Sequence, residues 1–305
     1  MPPQPPLAAI RAIMRARDVL HRAGDALMPA EMILLEQSFG IARTQVIGAV
    51  AELGVADLLS GGPRTAEQLA AALDVDADAL HRVLRGAAAF GLLRRPRHVR
   101  VAVARRASRR GGPLRGRDAA GDRAHGSRDR RGVPWPGSGT VCDVAGGVGT
   151  LLAAILAARP GLRGVLVDAP GPLGEADGFL RARGVRDRVE LVQGDIFSGV
   201  SARADCFVLK DVLHDWDDER CGTILRTVRA TMQPGERVVR VETLQERNDT
   251  DLIASLSDLQ MLTQCDGGRQ RAEADLHRLL RETGFEPGPT HATAGPALVE
   301  GTRGS

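Results

Sequence analysis

Apolar positions recur at helical spacing through the first 95 residues and in short continuous runs after residue 138. Neither pattern is sustained between them. In the first stretch, Ile41–Leu59 carries Val46, Ile47, Val50, Leu53 and Val55 at a period that predicts an amphipathic helix. Thr65-Ala-Glu-Gln68 then opens AEQLAAAL as a capping box, in which the hydroxyl and the amide each satisfy an amide at the other's end. Asp74 to Asp78 read as a turn with capping candidates, and Ala79–Phe90 as a further helix ending near Gly91. Helix, short turn, helix and an apolar exit toward a hairpin is the outline of a winged helix-turn-helix.

From residue 139 the period changes. TVCDVA, RGVLVDA, RVELVQGD, DCFVLKDV and RVVRVET read as five buried strands. Helices are expected at LLAAILAAR, around Glu175–Arg183, from about Asp217 to Met232, near Asp251–Gln264 and at Glu273–Thr283. Two short strand candidates follow, near Thr290 and at Ala297–Glu300. Continuous apolar strands alternating with helices predict an α/β fold with a doubly wound, mostly parallel sheet, preceded here by an all-α domain. The expected division is 1–95 helical, 96–138 linker and 139–305 sheet domain.

Composition changes the picture mainly in the middle. Residues 94–131 hold 14 Arg and 3 Asp, a local charge of +11 in a chain of net +3, so the remainder carries −8. The segment is aperiodic and reads as a disordered linker. A 43% hydrophobic content excludes a disordered chain as a whole, and no apolar run reaches the roughly 18–20 residues that span a bilayer. The first residues lack the order of a signal peptide. The four cysteines are scattered without a C-x-x-C pair, which implies reduced thiols, neither disulfides nor zinc, and a cytoplasmic setting.

Chemistry concentrates where strands end. Val141–Gly149 is a strand, a Gly-rich turn and a helix start; such a turn lets backbone amides approach a ligand, with Asp143 at the edge of the crevice. Asp168 ends the second strand, where a carboxylate can accept both hydroxyls of a ribose. Asp195 follows the third, within reach of an adenine amino group. Each acid alone reads as well as a turn former; together, behind a glycine turn, they describe a nucleoside site. His214 lies beyond the fourth strand in VLKDVLHDWDDE, with a pKa range suited to a general base. Glu242 ends the fifth strand, and adjacency of the two strand ends would let it orient the imidazole.

DVAGGVG, LVDAP, GDIF, LKDVLHDWDDERC, the Glu ending RVVRVE and DLQMLTQCDGGRQR resemble the motifs of the S-adenosylmethionine (SAM)-dependent O-methyltransferases of the plant caffeate and bacterial polyketide type, over about 139–305. The first 95 residues resemble that family's winged-helix dimerisation domain. The resemblance implies a Rossmann-like class I methyltransferase fold and SAM as co-substrate. It places SAM against Asp143, Ala145, Gly146 and Gly147, with Asp168 at the ribose, Asp195 and Ile196 at the adenine, and Lys210 nearby. It implies that His214 deprotonates a hydroxyl of a small aromatic or polyketide-like acceptor, that Glu242 supports it, that no metal takes part, and that the chain forms a homodimer through its amino-terminal domain.

Three positions depart from the family pattern. Ala145 replaces a glycine, a methyl group the turn is expected to tolerate. Gln270 stands where plant members carry a second supporting Glu. The Arg-rich 96–138 replaces helices that build the acceptor pocket and part of the dimer. Two other readings compete: a winged-helix DNA-binding regulator, and a SAM-binding chain with a damaged acceptor pocket. Against the first, DADALHRVLRGAAAF is largely apolar with few base-reading side chains, so nucleic acid is not the expected partner.

Overall fold

Runs rich in Val, Leu and Cys, apolar on both faces, pair side by side as five parallel strands: β1 (Gly139–Val144), β2 (Leu162–Asp168), β3 (Val189–Gln193), β4 (Cys206–Lys210) and β5 (Arg237–Glu242). Two later strands complete the sheet: β6 (Phe285–His291) at its edge and β7 (Ala297–Arg303) antiparallel between β5 and β6, giving the order β3-β2-β1-β4-β5-β7-β6. The computed structural model describes residues 6–28, 30, 33–34, 39–94, 135–246, 251–293 and 295–304. They fall into two units, Met1–Leu93 with Asn248–Leu259, and Arg94–Arg247 with Gln260–Ser305.

In the sheet unit, strand side chains alternate between two apolar layers. Val141, Leu166, Val208 and Val239 pack with Leu152, Leu156, Ala176 and Leu180 of the helices Thr150–Ala158 and Pro170–Ala182. Cys142, Val165, Phe207, Leu209 and Val238 pack with Ile224, Leu225, Leu279 and Leu280 of the helices Asp218–Thr231 and Glu273–Glu282. Burying each Val, Leu, Ile or Phe among them stabilises the fold by about 1.5–3 kcal/mol. Trp135 and Trp216 each lie against one of these layers.

The strand order also creates the site. Connections run one way from β1 through β2 to β3 and the other way from β4 to β5, so β1 and β4 flank a switch point whose carboxyl edge forms a crevice. The Gly-rich turn leaves β1 there, and the His214 segment leaves β4.

The helical unit follows its local signals. Gln68 donates its amide to Thr65 Oγ1 at 3.2 Å while Thr65 donates its own to Gln68 Oε1 at 2.9 Å, the expected capping box. Asp76 caps the helix Ala77–Ala89, accepting the Ala79 amide at 2.7 Å. The single helix expected over Ile41–Leu59 is instead two, Gly40–Glu52 and Val55–Leu59, broken where Gly54 takes φ +64°. Apolar period alone does not register that break, because Val55 returns to the same core as Leu69 and Leu80. Arg82 donates through Nε to Asp258 Oδ2 at 2.9 Å, and Arg85 meets the same buried carboxylate. The hairpin expected after Leu93 and almost all of the Arg-rich segment lie outside the described residues. Among those described, no helix is long and apolar enough to cross a membrane.

Candidate active site

The turn after β1 is shaped by close approach. A Cβ on Gly146 would lie 2.5 Å from the Asp143 carboxyl carbon and 2.6 Å from Leu166, so only glycine fits. Gly147 has φ +62° and nothing within 4 Å of its missing side chain, which leaves its outer face open. Ala145 also adopts the left-handed region, at φ +55°. The methyl expected to be tolerated is therefore held in a conformation costing about 1–2 kcal/mol outside glycine.

Asp168, at the end of β2, accepts the Gly147 amide at 2.7 Å and the Ala169 amide at 2.6 Å, tying the turn to the neighbouring strand. Asp143 lies inside β1, 2% exposed, and neither carboxylate oxygen has a well-formed hydrogen bond among the described residues. Burial pushes its pKa up to about 7, although the nearby Leu152 amide and Lys210 pull the other way. Asp195 occupies the loop after β3, where Oδ1 accepts the Phe197 amide at 2.9 Å and Oδ2 the Ser198 hydroxyl at 3.1 Å. It is thus a turn former at the position expected of a binding residue. Ile196, beside it, packs half-buried on the core. Lys210 closes β4 and pairs with Asp211, whose φ of +53° is again left-handed.

His214 sits in the short turn Leu213–Asp215 just beyond β4. Glu242 accepts the Leu213 amide through Oε1 at 3.0 Å and brings Oε2 to 3.2 Å from His214 Nδ1. That second contact is poorly aligned for a hydrogen bond, yet Glu242 favours the protonated ring through both hydrogen bonding and charge. The Gln270 amide lies 3.3 Å from the same Nδ1, while Nε2 is 3.4 Å from Asp215 Oδ1. Burial alone would depress the imidazole pKa; Glu242, Asp215 and Asp211 outweigh it and hold the ring above the usual histidine range.

Sequence reasoning did not single out the residues that hold this turn in place. Arg271 donates to the carbonyls of Leu213 at 2.7 Å and Trp216 at 2.6 Å and reaches Asp218 at 2.9 Å. Arg269 donates its amide to the His214 carbonyl at 2.8 Å. Trp216 meets Phe197 edge-on, with ring centroids 4.9 Å apart. The signal for Arg271 was present in GGRQR, but its partners lie 50 or more residues away. A separate groove of about 570 Å³, near Glu190, Arg203 and Gln233, opens at the opposite, amino edge of the sheet.

The carboxyl edge thus carries the glycine turn, Asp168, Asp195, Lys210, His214 and Glu242. A model of an O-methyltransferase domain matches residues 134–286, and one of an O-methyltransferase dimerisation domain matches 35–109. The chain is 46% identical over 150 residues to an O-demethylpuromycin-O-methyltransferase of Streptomyces alboniger, covering 48% of this chain and 40% of that protein. The chain spans 40–43% of the length of this and two further Streptomyces relatives. An O-methyltransferase family 2 protein of Planctomyces limnophilus, solved with apigenin, shares the fold at 21% identity, with a TM-score of 0.65 over 88% of this chain and 94% of that one. An O-methyltransferase from neocarzinostatin biosynthesis, solved with S-adenosylmethionine and 2-hydroxy-5-methyl naphthoic acid, is 27% identical, with a TM-score of 0.52 over 85% of this chain and 95% of that one.

Proposed function

This chain belongs to the O-methyltransferase family, and on that premise we propose that it methylates a hydroxyl group of a small aromatic or polyketide-like metabolite, with S-adenosylmethionine as donor. The observation that carries the reading is the meeting of His214 and Glu242 at 3.2 Å on the edge where Asp168 holds the glycine turn.

The residues present fit the donor. Asp143 offers a buried carboxylate without a well-formed hydrogen bond, Asp168 a carboxylate at a strand end, and Gly147 an uncovered backbone. Ala145, Gly146, Asp195, Ile196 and Lys210 complete the surface that would hold it. When bound, the donor supplies a methyl group on a positively charged sulfur.

His214 takes the proton of the acceptor hydroxyl. Its Nδ1 faces Glu242, so a proton there is favoured by the carboxylate and Nε2 is left to act as base. Gln270 then presents its amide oxygen to that N–H, an exchange of amide atoms that leaves the heavy-atom positions unchanged. A glutamine supplies no charge to offset an imidazolium, so that role falls to Glu242 first, with Asp215 and Asp211 beside it. Arg271 fixes the turn from below, which keeps the imidazole in line with its partner.

The amino-terminal unit supports a homodimer. Ile13, Val19 and Leu20 on the helix Leu7–Asp25 are 60–72% exposed, an apolar surface suited to a second copy. The reading is tested by incubating the full chain with labelled SAM and a panel of phenols and hydroxynaphthoates. Label transferred to a hydroxyl oxygen is the expected result. Donor binding without transfer to any of them would support the damaged-pocket alternative, and salt-sensitive DNA binding the regulator.

A further inference from the structure

Three groups at the ends of β4 and β5 offer more than proton transfer. One ligand atom each from Asp211, His214 and Glu242 lies within 4.8 Å of the others. The His214 Nδ1 to Glu242 Oε2 separation is 3.2 Å. Ligands at about 2.0–2.2 Å from a tetrahedral zinc ion stand roughly 3.3–3.5 Å apart, so this pair already spans one edge of a coordination tetrahedron. Glu242 is 3% exposed, and its Oε2 takes no well-aligned hydrogen bond among the described residues. A buried carboxylate oxygen facing an imidazole nitrogen is a ligand pair held in place before any ion arrives. Asp211 is half-exposed and already attracts a cation, the Lys210 ammonium. Nitrogen and oxygen donors in this mixture suit first-row transition dications.

We propose that Asp211, His214 and Glu242 form a binding site for a transition-metal dication, zinc foremost, whose occupancy silences the base. The ion is a competitor of the proton at His214 and takes no part in methyl transfer. That it silences catalysis rests on the functional reading above; that it binds does not.

The test uses the full chain without a polyhistidine tag, stripped of metal. Co²⁺ is titrated and followed by its visible absorption, and Zn²⁺ by calorimetry, with SAM affinity measured on the same samples. One equivalent is expected to bind with micromolar affinity. His214→Ala should abolish it, and Glu242→Gln and Asp211→Asn should each weaken it roughly tenfold or more, with SAM affinity within about threefold of wild type. Asp211→Asn, at a half-exposed position, keeps the test open if a core variant fails to fold. No Co²⁺ band and no Zn²⁺ heat at millimolar ion overturns the site, as does binding indifferent to all three substitutions. Site-specific binding that leaves methyl transfer undiminished overturns the silencing. Binding in a chain that transfers no methyl group even after chelation leaves the site standing and removes the functional reading.

Discussion

The helical unit and the carboxyl edge of the sheet treat polar groups in opposite ways. In the helical unit they find partners by short-range rules and one buried pairing: Thr65 and Gln68 cap each other, Asp76 caps its own helix, and Arg82 meets Asp258. Among the described residues of that unit, the single left-handed non-glycine residue, Asp74, simply ends a helix. At the carboxyl edge, Asp143 and one oxygen of Glu242 are buried without well-formed hydrogen bonds, and Ala145 and Asp211 hold left-handed backbone at two strand ends. Open polar groups that line a crevice are ones a bound ligand would complete.

The largest expected effect breaks the edge at its chemistry. His214→Ala should lower methyl transfer by about 10²-fold or more while SAM affinity stays within a few fold, as separate turnover and binding measurements would show. Equal loss of both would make His214 a structural residue only.

The next sharpens the contrast through pH. Asp143 titrates near 7 in the fold, far above an unfolded aspartate. The folded state therefore holds a proton that the unfolded chain has lost between about pH 4 and 7. Across that window this group lowers stability as pH rises, by up to about 1.4 kcal/mol per pH unit, and above pH 7 its contribution is constant. Asp143→Asn should remove that component, so the difference between variant and wild type in donor-free denaturant melts should grow from pH 4 to 7 and then level. A constant difference would show that the carboxyl finds a partner in solution.

Arg240 tests whether every open polar group signals a ligand. It is fully buried on β5, bonded among the described residues only through Nη1 to the Leu276 carbonyl at 2.8 Å, and burial lowers its pKa to about 9. That one partner is a backbone carbonyl of the helix Glu273–Glu282 and none of the residues proposed to hold the donor, so Arg240→Met should be neutral or stabilising by up to about 4 kcal/mol with SAM affinity unchanged, measured by melts and calorimetry. The smallest effects are local. Ala145→Gly should add about 1 kcal/mol by relieving left-handed backbone, and Thr65→Ala should remove about 1 kcal/mol by deleting a cap, both read from denaturant melts.

Much of this was legible in the chain because it is written locally. Strands β1 to β5 are each built on short runs of apolar residues, and the capping box and the Asp76 cap depend on residues three apart. His214 and Glu242 were paired because parallel neighbours end at one edge. What escaped depends on distance in sequence or on backbone angle. Arg271 grips Leu213 from 58 residues away, the break at Gly54 is a dihedral event within an unbroken apolar period, and the strain at Ala145 and Asp211 has no signature in residue type. Asp195 answers to both readings its residue type allowed: it caps its own turn and stands at the strand end where a ligand role was expected.

The central claim is that the carboxyl edge holds a methyl-donating nucleoside with Asp168 as its anchor. Calorimetric titration of SAM into the full chain and into Asp168→Ala tests it most directly. The account predicts micromolar binding at one equivalent, weakened by about 2–3 kcal/mol in the variant through loss of charge-assisted hydrogen bonds. No heat with the wild-type chain, or equal affinity in both, would contradict it.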